Sequence, residues 1–183
     1  NPCSEYMFLD DTACNLASLN LTTFYDEQTA SFNIEAYRHA IRLWTDVLEI
    51  SVHMAQFPSK EIARKSYDYR TLGLGYANLG TLLMISGLAY DSEEGRAFAA
   101  ALSAILTGES YSESARLAQA LGPFPRFSAN RNDMLRVIRN HRRAAYNAPP
   151  KEYEKLSTIP HSIDSKKVHP ALVKAAQQCW DEA

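Results

Sequence analysis

The chain has 183 residues, room for one domain with a real core but not for two of ordinary size. Its net charge of −2 excludes a general electrostatic pull toward nucleic acid or anionic membrane, and no apolar run approaches the roughly 20 residues of a membrane span. Three cysteines, Cys3, Cys14 and Cys179, are too few and too odd in number for a disulfide framework and suit a reducing cytoplasm.

The sequence opens without methionine, on "NPCSEYMFLDDTACNLASLNL". Pro2 biases Asn1 toward an extended backbone. In an extended segment Asn1, Cys3 and Glu5 share one side, each ~6.6–7 Å from the next. One small ligand would then meet an amide, a thiol and a carboxylate. The carboxylate can take a proton from a hydroxyl, and the amide can donate and accept hydrogen bonds. The thiol can serve as nucleophile, metal ligand or hydrogen-atom carrier. A polar loop with one buried cysteine is the plainer alternative. Asp10 and Asp11 read as loop residues.

Residues 15–24 alternate loosely around Leu16, Leu19 and Leu21 and predict a short strand. From Tyr37 through Ile41, Trp44, Leu48 and Val52 to Ala55, apolar residues recur every three or four positions. That spacing predicts an amphipathic helix capped by Asn33 and stopped by Pro58. Arg70 to Tyr76 reads as a buried strand whose alternate glycines suggest another backbone passing close by. Residues 77–87 read as helix ending at Gly87, and Asp91 with Glu94 fits a capping box. Ser92 to Leu121 predicts one long helix or a pair broken near Gly108. "GPFPRF" ends it, and a helix over 131–146 follows. Pro149, Pro150 and Pro160 mark a loop, and Pro170 suits the first turn of a last helix over 169–182.

The fold class is therefore mostly α with two or so short strands. Two isolated strands make no stable sheet unaided. Either they pair with each other against the helices or strands from outside this sequence complete them, and the missing methionine favours the second. Cys179 lies on the apolar side of the last helix, which predicts core packing. His39, His53, His141, His161 and His169 show no metal-ligand spacing, so no metal site is expected. Arg131, Arg136, Arg139, Arg142 and Arg143 make a basic helix, read as a solvated or ion-paired face in preference to a phosphate site.

"NPCSE" followed by "ACNLASLNL" resembles the active-site loop of ribonucleotide reductases. The whole opening string, "RTLGLGYANLGTLLMISGLAYDSEEG" and "GPFPRFSANRNDMLRVIRNHRRAAY" look most like the class II, adenosylcobalamin-dependent members; class I, with a metal-containing radical subunit, is the near variant. The resemblance implies a ten-stranded α/β barrel with a finger loop at its centre. Residues 1–183 would be a central part of that catalytic barrel, beginning at the finger loop, with no second domain. Cys3 would become the thiyl radical that takes the 3′ hydrogen from the ribose. Glu5 would bind and deprotonate the 3′ hydroxyl, and Asn1 would hold substrate hydroxyls. Cys14 would be one of two reducing cysteines that finish as a disulfide.

The implied partners are the ribonucleotide, the remaining barrel segments of the parent chain and a dithiol reductant such as thioredoxin, with no nucleic acid and no membrane. Adenosylcobalamin would serve the parent enzyme without binding these residues, and the segment alone would be inactive. Whether the substrate is a di- or triphosphate is open. A non-catalytic helical scaffold with incidental cysteines is the alternative function.

Overall fold

In a computed structural model, residues 8–183 are described. Strand β1 (Asn15–Asn20) runs into a single 3₁₀ turn, Leu21–Phe24. Two two-residue strands follow, β2 (Tyr25–Asp26) and β3 (Ser31–Phe32), paired antiparallel. This small hairpin adds to the two strands foreseen, so the described residues hold four.

Helix α1 (Ile34–Met54) buries Tyr37, Ile41, Thr45, Leu48 and Val52, the three-and-four spacing of an amphipathic helix. Asn33 caps it as expected, its side chain accepting from Ala36 N at 3.0 Å. Helix α2 (Lys60–Tyr69) lies outside the elements the sequence predicted: Ile62, Ala63, Ser66 and Tyr69 share its less exposed side, a short stripe whose single buried residue is Ser66. Ser59 caps its start by accepting from Ile62 N. Arg70, left-handed at φ 50°, ends it and donates from Nε to Glu49 at 2.6 Å.

Strand β4 (Leu72–Ala77) pairs parallel with β1, Asn15 opposite Leu72 through Asn20 opposite Ala77. The two expected strands thus meet each other. Parallel neighbours need a long crossover, and α1 with α2 supplies it. Asn15 Nδ2 donates to the Leu48 carbonyl at 2.8 Å, fixing α1 across the back of the pair.

Helix α3 (Leu79–Ile85) is followed by a left-handed Gly87 at φ 69°. Helix α4 (Glu93–Leu121) is capped by Ser92, whose Oγ accepts from Gly95 N at 2.9 Å. The expected Asp91–Glu94 capping box is corrected by one residue: Glu94 instead pairs with Lys167 at 3.1 Å. The helix runs through Gly108 unbroken. There the glycine serves close approach, since a Cβ would come within 2.9 Å of Cys179 Cβ. Helix α5 (Phe127–Ala145) begins four residues earlier than the pattern suggested, and α6 (Pro170–Glu182) closes the chain.

The core gathers Leu19 and Leu21, Tyr37 and Ile41 of α1, Leu82 and Leu83 of α3, Leu102 and Ile105 of α4, and Ala176 and Cys179 of α6. Inside it sits one carboxylate, Glu109, with no solvent exposure. Arg38 Nε reaches it at 2.7 Å, Arg42 Nη1 at 2.6 Å and the Cys179 thiol at 3.1 Å. Burial pushes that thiol's pKa up, and the neighbouring carboxylate pushes it further. Cys179 is a packed core residue, as its helix position implied. Among the described residues, the strands form two two-stranded sheets and no closed barrel.

Candidate active-site face

Paired residues of parallel strands point to the same side. Leu19 with Tyr76, and Leu74 beside them, turn into the core. The period of two then sends Leu16, Ser18 and Asn20 to the opposite side, together with Gly73, Gly75 and Ala77. Leu16, Ser18, Asn20 and Ala77 are exposed on that side. The floor is glycine where the strands lie closest: a Cβ on Gly73 would stand 2.4 Å from Leu16 Cδ2 and 2.7 Å from the Asn15 carbonyl oxygen.

Cys14 precedes β1 and continues this side. It is free and exposed, and a Gly73 Cβ would lie 3.5 Å from its Sγ. The thiol therefore stands over the glycine floor, open to a small molecule on that face and to an external thiol.

The segment leading into β1 is held by α2. Lys65 Nζ donates to the Asp10 carbonyl at 3.1 Å and meets Asp11 Oδ2 at 3.3 Å. Ser66 Oγ accepts from Ala13 N at 3.0 Å, and the Phe8 ring stands edge-on to Tyr69 at 5.4 Å. Asp10 and Asp11 are turn residues, as their sequence suggested. Nothing in the sequence pointed to Ser66, since a serine in a polar helix carries no periodic signal. Asn1, Cys3 and Glu5 lie outside the described residues.

No cluster of three or more His, Cys, Asp or Glu suited to a metal occurs among the described residues. The basic helix is ion-paired. Arg139 and Arg143 hold Glu154 at 2.8 and 2.7 Å, and Arg142 holds Asp181 at 2.6 Å. These arginines are engaged within the chain, as the ion-paired reading expected. Two cavities of about 400 and 240 Å³ are lined by helix and loop residues, with Phe32 of β3 in the larger, and neither has a wall from β1 or β4.

The ribonucleotide reductase barrel-domain family matches residues 1–182. The chain belongs to that family. It is 62% identical over its full length to a vitamin B12-dependent ribonucleotide reductase of Agrobacterium fabrum and 60% identical to one of Bradyrhizobium diazoefficiens. A vitamin B12-dependent ribonucleoside-diphosphate reductase of Mycobacterium tuberculosis is 32% identical over 72% of the chain. The chain spans 14% and 15% of the length of the first two relatives and 19% of the third. Membership in the reductase family favours a reductase segment over a helical scaffold with incidental cysteines. No helix among the described residues is long and apolar enough to cross a membrane.

Proposed function

We propose that residues 1–183 form a central part of the ten-stranded catalytic barrel of an adenosylcobalamin-dependent ribonucleotide reductase, beginning at its finger loop. The observation that carries this reading is the exposed Cys14 thiol over the bare Gly73–Gly75 face, in a chain 62% identical to a B12-dependent reductase. That face is a floor for a ribonucleotide. Cys3, as a thiyl radical, takes the 3′ hydrogen, Glu5 accepts the 3′ hydroxyl proton, and Asn1 holds the sugar hydroxyls. Cys14 and a second thiol give up two hydrogen atoms and become a disulfide, while the 2′ oxygen leaves as water and the deoxyribose carbon keeps a hydrogen. An external dithiol of the thioredoxin kind then reduces the disulfide, in a reducing cytoplasm. Adenosylcobalamin would supply the radical chemistry of the parent enzyme. The 183 residues alone convert no ribonucleotide.

The test is replacement of each cysteine in the full-length reductase, with substrate consumption and deoxynucleotide formation followed separately. Cys3→Ser abolishes both. Cys14→Ser leaves substrate decomposition but ends repeated turnover. Normal turnover of Cys14→Ser with a dithiol would overturn the redox role of Cys14, and normal turnover of Cys3→Ser would overturn the whole reading.

A further inference from the structure

Helix α2 is an odd companion to the core. Its one buried side chain is a hydroxyl, Ser66, only 3% exposed. A residue so placed in an amphipathic helix is ordinarily apolar, because burial without a partner costs a polar group about 1–3 kcal/mol. Here the hydroxyl has a partner from 53 residues away, the backbone N–H of Ala13 at 3.0 Å. Ala13 is the residue before Cys14. Two further contacts of α2 reach the same segment, Lys65 to Asp10 and Asp11, and Tyr69 to Phe8. Three residues of one helix, Lys65, Ser66 and Tyr69, thus grip the seven residues that deliver the thiol.

The other attachments of α2 flank Tyr69. Arg70 joins Glu49, and Arg126 Nε meets Asp68 at 3.4 Å. The helix is thus anchored to α1 and to the α4–α5 connection at its C-terminal end, while its Lys65–Ser66 turn meets the segment before β1. β1 begins at Asn15, so pairing with β4 fixes the chain only after Cys14. The N–H of Ala13, one residue before the thiol, is held by Ser66 Oγ at 3.0 Å.

We infer that Ser66 is a positioning residue for Cys14, holding the thiol at a set place over the glycine face through the Ala13 peptide, with Lys65 as its neighbour in the clamp. The inference rests on the redox role proposed for Cys14. Removal of the hydroxyl frees that peptide and widens the range of thiol positions. Misplacement of a reacting group by about 1 Å can cost up to a hundredfold in rate.

The experiment uses the full-length reductase carrying Ser66→Ala, Ser66→Thr, Lys65→Met or, as control, Cys14→Ser. Ser66→Ala lowers kcat about ten- to a hundredfold with KM unchanged. It also raises the rate at which iodoacetamide labels Cys14 in the native enzyme. Ser66→Thr keeps the acceptor oxygen and restores kcat. Lys65→Met, at a partly buried position of the clamp, gives a smaller loss of the same kind and supplies the reading should Ser66→Ala fail to fold. Wild-type kcat in both Ser66→Ala and Lys65→Met would overturn the positioning role, as would a loss that Ser66→Thr leaves unrepaired. Full activity of Cys14→Ser would instead overturn the redox role on which the inference stands.

Discussion

Leu16 and Gly73 face each other across the parallel β1–β4 pair so closely that a methyl group on the glycine would lie 2.4 Å from Leu16 Cδ2. The Asn15 carbonyl oxygen would be 2.7 Å away, and backbone cannot swing aside. Gly73→Ala should therefore destabilise the protein by about 1–3 kcal/mol, the usual cost of overpacking. Gly75 is the internal control. Its added Cβ would meet only Ser18 Oγ, at 3.8 Å. Gly75→Ala should be neutral or should stabilise by about 0.5–1 kcal/mol, because it removes unfolded-state freedom. Urea unfolding of the two variants checks the contrast, and equal midpoints would contradict it.

Glu109 joins three helices through one carboxylate. Burial pushes its pKa up, but hydrogen bonds from Cys179, Arg38 and Arg42 outweigh burial and hold it below the ordinary 4.5. Glu109→Gln leaves two arginines facing a neutral amide and should cost about 3–5 kcal/mol. The sign with pH follows from the depressed value. The stabilisation from the ionised group is complete above about pH 4.5 and is lost as pH falls through the lower folded value. The gap in urea midpoint between the wild type and Glu109→Gln should be constant above about pH 5 and should close in more acidic solution.

Glu154 is held by Arg139 first and Arg143 second, and its pKa falls to about 2. Its side-chain oxygens are reached at 2.8 Å by Arg139 and 2.7 Å by Arg143. A carbon-detected NMR titration should find its midpoint near 2 at low salt. Arg139→Ala should raise it, and added salt should raise it in the wild type through screening of the exposed pair. A midpoint unmoved by Arg139→Ala would refute the assignment.

Cys14 and Cys179 should separate cleanly under alkylation. Cys14 is exposed, whereas Cys179 is fully buried and donates to Glu109. Peptide mass mapping after brief iodoacetamide treatment should find Cys14 modified and Cys179 intact. In denaturant both should react. Modification of native Cys179 at the rate of Cys14 would contradict the packing of α4 against α6.

Much of this fold was legible because burial and periodicity agree. The three-and-four spacing from Tyr37 to Val52 gave α1, and the alternate glycines near residue 73 announced a close neighbour before its identity was known. α2 stayed hidden because its stripe, Ile62, Ala63, Ser66 and Tyr69, is short and has a serine at its buried position. The hairpin of Tyr25–Asp26 with Ser31–Phe32 is too short for alternation to register. At the site, Cys14 was legible through its place in "ACNLASLNL", a pattern of words and not of physics. The support of that thiol by Ser66 was invisible, because a contact across 53 residues depends on the folded path of α1 and α2.

The parallel pairing of β1 with β4 also sets an order in time. β1 leaves the ribosome first, and its partner strand is made only after all of α1 and α2. At about 5–20 residues per second that interval lasts roughly 3–10 s. Throughout it β4 is not yet made, while α1 is already synthesised and can shelter Leu19. The Asn15–Leu48 hydrogen bond is a contact that can form within this interval. The strand can therefore lie on the helix before its pairing with β4 is added.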